Sequence, residues 1–432
     1  MKLAVVGGGT AGFMAAAHLS KRFPELELVH VFDSGHPPLG VGEGTLPAFP
    51  PWLHRVTGLE LPELVEACDT TYKLGIRFEG WGSANPVFFH NFGAGSYAYH
   101  LSAEKLPALL DAGIHAERID RRVRMLVSDG RRVELRFEDG GPPLVADLVV
   151  DARGFPGALD DGEHLGIRGI PTNAALLRRG PAGELLGGTR AVARPHGWIF
   201  VIPLARHTSY GYVFDERTSS AGEVSAEFDR FLDEDGVDHG TVETTGERLL
   251  RFPSFRRRSF FDGALFHLGN GASFLEPLEA TAIGLVLHQL QVLTYWLADE
   301  LVGVSGDEKR STRVLAEIDR ELGGAVDAVG LFVAWHYLAG SAWETPFWQS
   351  AREGAERVLA SARGTDVGAR FEVLLAMARE IPEDAVANLR DREVFEHEVA
   401  PVLRRSARLK HAFGGFDAAS FAQVGRGLGL LG

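Results

Sequence analysis

Glycines at positions 7, 9 and 12, in the run Val5-Val6-Gly7-Gly8-Gly9-Thr10-Ala11-Gly12, have the spacing that lets a backbone close around a pyrophosphate. The first allows a tight turn, the second lets the phosphates approach the chain, and the third lets a helix pack on the preceding strand. The free N–H groups around Thr10 and Ala11, at the start of that helix, would supply donors backed by the positive end of its dipole. Asp33 ends a second apolar run, Leu28 to Phe32, about 20 residues past the glycines, where a ribose hydroxyl needs an acceptor. An ordinary glycine turn between strand and helix is the bland alternative. The apolar strand before the turn, the helix-like Phe13 to Leu19 after it and the placed acid favour a dinucleotide.

The elements that must position these groups follow along the chain. The first 45 or so residues read as strand, helix and strand, and a loop of turn formers runs from Gly35 to Thr45. Tyr72 to Trp81 alternates like a strand, with Leu74, Ile76 and Phe78 on one face. Arg122–Val127, Val133–Phe137 and Ala146–Ala152 read as further strands, as do the segments around 198–203 and 209–214. Beyond about Leu285 the pattern changes to long amphipathic helices. The expected fold is α/β: a Rossmann-type dinucleotide-binding domain with an inserted β-sheet and a helical C-terminal region. Residues 1–290 would form the nucleotide-binding module with its inserted substrate-side sheet, and 291–432 the helical module packed on it.

A chain of 432 residues, 45% hydrophobic and 24% charged, has length for a large core. Its formal net charge of −14 argues against nucleic-acid and anionic-membrane partners. The richest apolar stretch, Ala282 to Trp296, is interrupted by His288, Gln289 and Gln291, so no membrane span is expected. Cys68 is the single cysteine, so no internal disulfide forms, and a reduced, cytoplasmic enzyme without a signal peptide is expected. The 16 histidines fall singly or in poor spacing, His397 and His411 among them, so no metal site is expected.

Several segments together resemble the flavin-dependent tryptophan halogenases. They are the Gly7–Gly12 turn, Gly40-Val41-Gly42-Glu43-Gly44-Thr45-Leu46-Pro47, Tyr72-Lys73-Leu74-Gly75-Ile76-Arg77-Phe78, Gly197-Trp198-Ile199-Phe200-Val201-Ile202-Pro203 and Phe274-Leu275-Glu276-Pro277-Leu278-Glu279-Ala280-Thr281. Trp335-His336-Tyr337 and Thr345-Pro346-Phe347-Trp348 resemble that family's helical region, and the order of segments is the same. The resemblance implies FAD, reduced by a separate flavin reductase, which with oxygen and a halide ion yields hypohalous acid. It implies cofactor contacts from Gly42, Glu43, Asn270 and Ile283 as well as from the glycine turn and Asp33. It also implies that Lys73 captures or orients the electrophile and that Glu279 takes up the ring proton. Halide would bind at the N–H groups of Thr281 and Ala282, and His90 and Phe92, in Phe89-His90-Asn91-Phe92-Gly93, would line an indole pocket.

The chemistry suits the residue types. A lysine among apolar neighbours can hydrogen-bond a neutral oxidant or, with a lowered pKa, form a haloamine. A carboxylate within reach stabilises cationic character and serves as general base. Each has a bland alternative at this stage. Lys73 could be a strand's solvent-facing charge, and Glu279 could complement a helix dipole. Thr281 and Ala282 could serve the flavin rather than a halide, and His90 and Phe92 could be core residues.

The pattern also breaks. Phe200 stands where the family has a second tryptophan, Ala280 where it has serine, and Ala282 where glycine or serine is frequent. The C-terminal stretch Ala418-Ala419-Ser420-Phe421-Ala422 lacks the paired tyrosines that hold free tryptophan, whose charged groups would go unpaired. The chain is also short between Lys73 and Glu279. The expected activity is therefore halogenation of an indole-, phenol- or pyrrole-type ring, free or peptide-borne, but not free tryptophan. A halogenase-like flavin monooxygenase, hydroxylating an aromatic such as a peptidyl tryptophan, is the alternative.

Overall fold

The computed structural model describes residues 1–35, 42–82, 86–160, 162–185, 187–238, 241–242, 249–301 and 311–431. Residues 36–41, which hold most of the expected turn-former loop and its Gly40 and Val41, lie outside the described residues. The strand Lys2–Val6 is apolar and buried from Leu3 onward, the pattern of a parallel strand covered on both faces. It lies at the centre of a parallel sheet ordered Leu265–His267, Leu148–Asp151, Lys2–Val6, Glu27–Phe32, Glu117–Asp120. The helix Thr10–Arg22 follows the first strand and ends with Lys21 and Arg22 against its negative dipole end. This is the Rossmann-type unit, with its ligand edge at the strands' carboxyl ends.

The inserted sheet has seven strands, in the order Leu249–Arg251, Ala174–Pro181, His207–Phe214, Gly197–Pro203, Thr189–Arg194, Gly75–Glu79, Val87–Asn91. A small sheet, Gly42–Gly44, Ala98–Ser102 and Thr71–Lys73, joins it to the nucleotide-binding unit. The single strand expected over 72–81 is split at Leu74, whose N–H bonds Gly187 O at 2.7 Å. The split changes the phase of the alternation. Tyr72 is exposed, whereas Lys73 is buried with Ile76 and Phe78.

From Thr281 onward every described element is helical. The helix Thr281–Leu301 runs continuously past residue 290. The long helix Thr312–Leu338 is apolar on most sides over its second half and is buried accordingly. Its Phe332 and Trp335 pack with Phe371, Phe416 and Phe421 in one aromatic cluster. The C-terminal helix Ala418–Gly427 covers the free edge of Val87–Asn91. There the Gln423 amide accepts from Asn91 N–H at 2.9 Å and donates to Asn91 O at 3.0 Å, replacing the missing neighbouring strand.

Candidate active site

Gly7 and Gly12 are glycine for steric reasons. A Cβ on Gly7 would lie 2.3 Å from Ala152 O, and one on Gly12 would lie 2.1 Å from Gly7 O. Gly9 differs: nothing approaches within 4 Å of its Cβ position, and it opens onto a cavity of about 750 Å³. Thr10, Ala11, Asp33, Asn270 and Ile283 all line that cavity. Buried His30 donates from Nε2 to Gly7 O at 2.9 Å, fixing the turn from the neighbouring strand. Gly269, at φ +60°, brings the Asn270 turn against Ala11, and Gln289 accepts from its N–H at 2.9 Å. Open backbone at a helix N-terminus, an acid at the next strand's end and an apolar cavity beyond fit a flavin dinucleotide. Glu43, in the strand Gly42–Gly44, also lines the cavity, and burial pushes its carboxyl up to about 7.

The same cavity is bordered by Lys73 and Glu279. Lys73 is fully buried; its Nζ donates to Thr45 O at 3.1 Å and lies 5.5 Å from the centre of the Phe92 ring. Burial lowers its pKa from 10.5 to about 7, with nearby Glu279 pulling the other way. The bland reading of Lys73 as a surface charge fails on burial alone.

Glu279 sits in a turn that few sequences adopt. Its φ is 64° and that of Ala280 is 54°, both left-handed and neither glycine. The carboxylate sits between two imidazoles. His90 Nδ1 lies 2.9 Å from both carboxylate oxygens, and His336 Nε2 lies 2.9 Å from Oε1. Burial opposes the charge, but these two partners outweigh it and hold the carboxyl well below the usual carboxylate range. The carboxylate is thus held by side chains from two other elements of the chain.

A second buried carboxyl braces the same turn. Glu276 accepts from Thr172 Oγ1 at 2.5 Å and from Tyr337 OH at 2.7 Å, and Tyr337 in turn accepts from Trp198 Nε1 at 2.9 Å. Burial pushes Glu276 up to about 7 against those hydrogen bonds. Consecutive residues of one helix, His336 and Tyr337, thus grip two glutamates of one loop. Trp198 and Phe200 both line the cavity wall, with ring centres 6.3 Å apart.

Thr281 and Ala282 border the cavity in the first turn of their helix, where backbone N–H groups have no intrahelical acceptor. His90 is buried and packs against the stacked pair Phe332 and Phe416, with its Nδ1 turned to Glu279, while Phe92 is half-buried beneath Lys73. The lysine, the carboxylate, the helix start and the glycine turn are all brought to one cavity. His336, Tyr337, Glu276, His100 and Thr189 were not singled out by sequence reasoning as site residues. His336 and Tyr337 did lie inside a recognised segment, which was the available signal. Among the described residues no helix is long and apolar enough to cross a membrane, and no cluster of three or more His, Cys, Asp or Glu could hold a metal.

The chain is similar to known proteins over most of its length. The sequence pattern of the family described as tryptophan halogenase matches residues 2–96 and 94–365. The tryptophan 7-halogenase RebH of Lentzea aerocolonigenes is 26% identical over 438 residues, covering 82% of this chain and 79% of that protein. The solved structure of MibH, a lanthipeptide tryptophan 5-halogenase, superposes with a TM-score of 0.78 at 24% identity, over 100% of this chain and 86% of that one. BrvH, a flavin-dependent halogenase from Brevundimonas sp. BAL3, superposes with a TM-score of 0.68 at 24% identity, over 98% and 97% of the two chains.

Proposed function

The chain belongs to the tryptophan halogenase family and is an FAD-dependent oxidoreductase; from that premise we propose that it halogenates an electron-rich aromatic ring other than free tryptophan. A separate flavin reductase would supply the reduced FAD. One observation carries this reading: a buried lysine and a carboxylate held in a left-handed turn border the same cavity as the glycine cradle. When bound, reduced FAD supplies the two electrons that let oxygen convert halide to hypohalous acid. The N–H groups of Thr281 and Ala282 hold the halide. Lys73 donates an N–H to the oxidant's oxygen, which makes the halogen the electrophilic end. Glu279, steadied by His90 and His336, accepts the proton that the ring carbon releases.

The substrate assignment is supported by the C-terminal helix. Ala418, Ala419, Phe421 and Ala422 are buried, and the Phe421 ring stacks 5.6 Å from Trp335. This stretch offers apolar packing where an ammonium and a carboxylate would need donors and acceptors. A peptide-borne indole, a phenol or a pyrrole makes no such demand. Reactions with reduced FAD, oxygen and bromide, run over indoles, phenols, pyrroles and a tryptophan-containing peptide, are expected to add bromine by mass spectrometry. Addition of oxygen alone would select hydroxylation, the reading that Phe200 favours. Tight calorimetric binding of L-tryptophan, with its halogenation at one position, would overturn the substrate assignment.

A further inference from the structure

Behind Lys73 lies a chain of hydrogen bonds whose protons can be placed without ambiguity. Thr71 Oγ1 lies 2.7 Å from Pro203 O, a pure acceptor, so the threonine's one hydroxyl proton is spent there. His100 Nδ1, 3.3 Å from Thr71 Oγ1, must therefore carry the proton of that contact. Burial, reinforced by neighbouring Lys73, holds the His100 pKa well below its ordinary value, so the ring is neutral and its Nε2 is bare. Thr189 Oγ1 lies 2.8 Å from Nε2 and must donate to it. Thr189 borders the cavity, whereas His100 is buried behind it. The hydroxyl of Thr189 consequently presents only lone pairs to the cavity.

Those lone pairs face the gap beside Lys73. Gly44 gives the scale: a Cβ there would lie 3.3 Å from Lys73 Nζ, 3.5 Å from Thr189 Oγ1 and 3.5 Å from Ala280 Cβ. A donor and an obligate acceptor border one small space next to the turn that carries Glu279.

We infer that Thr189, aimed by His100, is the acceptor that positions hypohalous acid opposite Lys73. This rests on the halogenase reading above. The oxidant's O–H donates to Thr189 Oγ1, its oxygen accepts from Lys73 Nζ, and the halogen is left pointing at the substrate ring. In the transfer the O–X bond breaks and a C–X bond forms. The ring C–H proton goes to Glu279, and the departing oxygen leaves as water with a proton from the Lys73 ammonium. Solvent exchange then restores both groups. Thr189 itself gains and loses no proton. Its contribution is orientation, and His100 is a positioning residue.

The test uses the full-length enzyme with reduced FAD, oxygen, bromide and whichever aromatic substrate it brominates, with a 1,3-diketone scavenger in solution. Thr189→Val keeps shape and removes the hydroxyl; Thr189→Ser keeps the hydroxyl. The ratio of brominated substrate to scavenged oxidant should fall about tenfold in Thr189→Val, the factor set by roughly 1.4 kcal/mol from one lost hydrogen bond. Flavin oxidation should be unchanged, and Thr189→Ser should restore the ratio. An unchanged ratio in Thr189→Val, or equal loss in both variants, would overturn the inference while leaving halogenation intact. If the native enzyme yields neither brominated product nor scavenged oxidant, the halogenase reading falls first and this inference with it.

Discussion

Lys73 owes its chemistry to the break in its strand. Had Tyr72 to Trp81 been one regular strand, alternation would have put Lys73 on the face opposite Leu74, Ile76 and Phe78. The break at Leu74 instead turns it inward, and burial lowers its pKa from 10.5 to about 7. That shift has a stability consequence of fixed sign. Between 7 and 10.5 the unfolded chain keeps a proton that the folded chain has released, so stability rises with pH across this window and the penalty is complete below it. Lys73→Met removes the titration. Its gain in Tm over the native chain should be greatest at and below neutrality and shrink towards 10.5 in a thermal series. A gain constant with pH would show that the amine is solvated as an ammonium. Lys73 and Glu279 were legible because each lies inside a recognisable segment. Thr189 and His100 were not, because the bond that gives each its role joins residues 89 apart in sequence.

At the level of elements, the turn before Thr281–Leu301 is the most constrained piece of backbone. Two consecutive non-glycine residues, Glu279 and Ala280, have positive φ, a conformation that costs an L-residue about 1 kcal/mol or more each. His90, His336 and the Glu276 brace offset that strain by fixing both ends of the loop. Ala280→Gly removes one side of the strain and is expected to leave stability to denaturant equal or higher. Ala280→Val, β-branched at φ 54°, should lose about 2 kcal/mol and displace the neighbouring carboxylate. Equal stability of the two variants would mean that the turn relaxes freely and that Glu279 is not held. The sequence marked this segment as a helix start with an acid before it, and the helix is where it was expected. The left-handed pair was invisible because neither residue is glycine, the usual flag for such a turn.

Across the whole molecule, the site is assembled from both halves of the chain. The sheets bring Lys73, His90 and Trp198, the loop before Ala174–Pro181 brings Thr172, and the long helix Thr312–Leu338 brings His336 and Tyr337 across to the loop 276–281. The fold class was legible from apolar periodicity and glycine placement, whereas the helices Phe49–Thr57, Leu61–Cys68 and Ala221–Glu234 within the first 290 residues were not. Nor was this crossing, since Glu276 and Tyr337 are 61 residues apart and nothing local marks their pairing. Glu276 makes the coupling measurable. Its carboxyl is raised from 4.5 to about 7, so between those values the folded chain holds a proton that the unfolded chain has lost. Stability therefore falls as pH rises through that window, and the loss is complete above it. Glu276→Gln keeps the acid's shape and hydrogen-bonding capacity without the ionisation, so it should gain stability relative to the native chain as pH rises from 4.5 to 7. Tyr337→Phe leaves Trp198 Nε1 without its acceptor and Glu276 with Thr172 as its remaining partner, and should cost about 1–3 kcal/mol throughout. Denaturant unfolding at several pH values separates the two. If Glu276→Gln is destabilised at every pH, the glutamate is an anion in the folded chain, and the brace between helix and loop works by charge rather than by a shared proton.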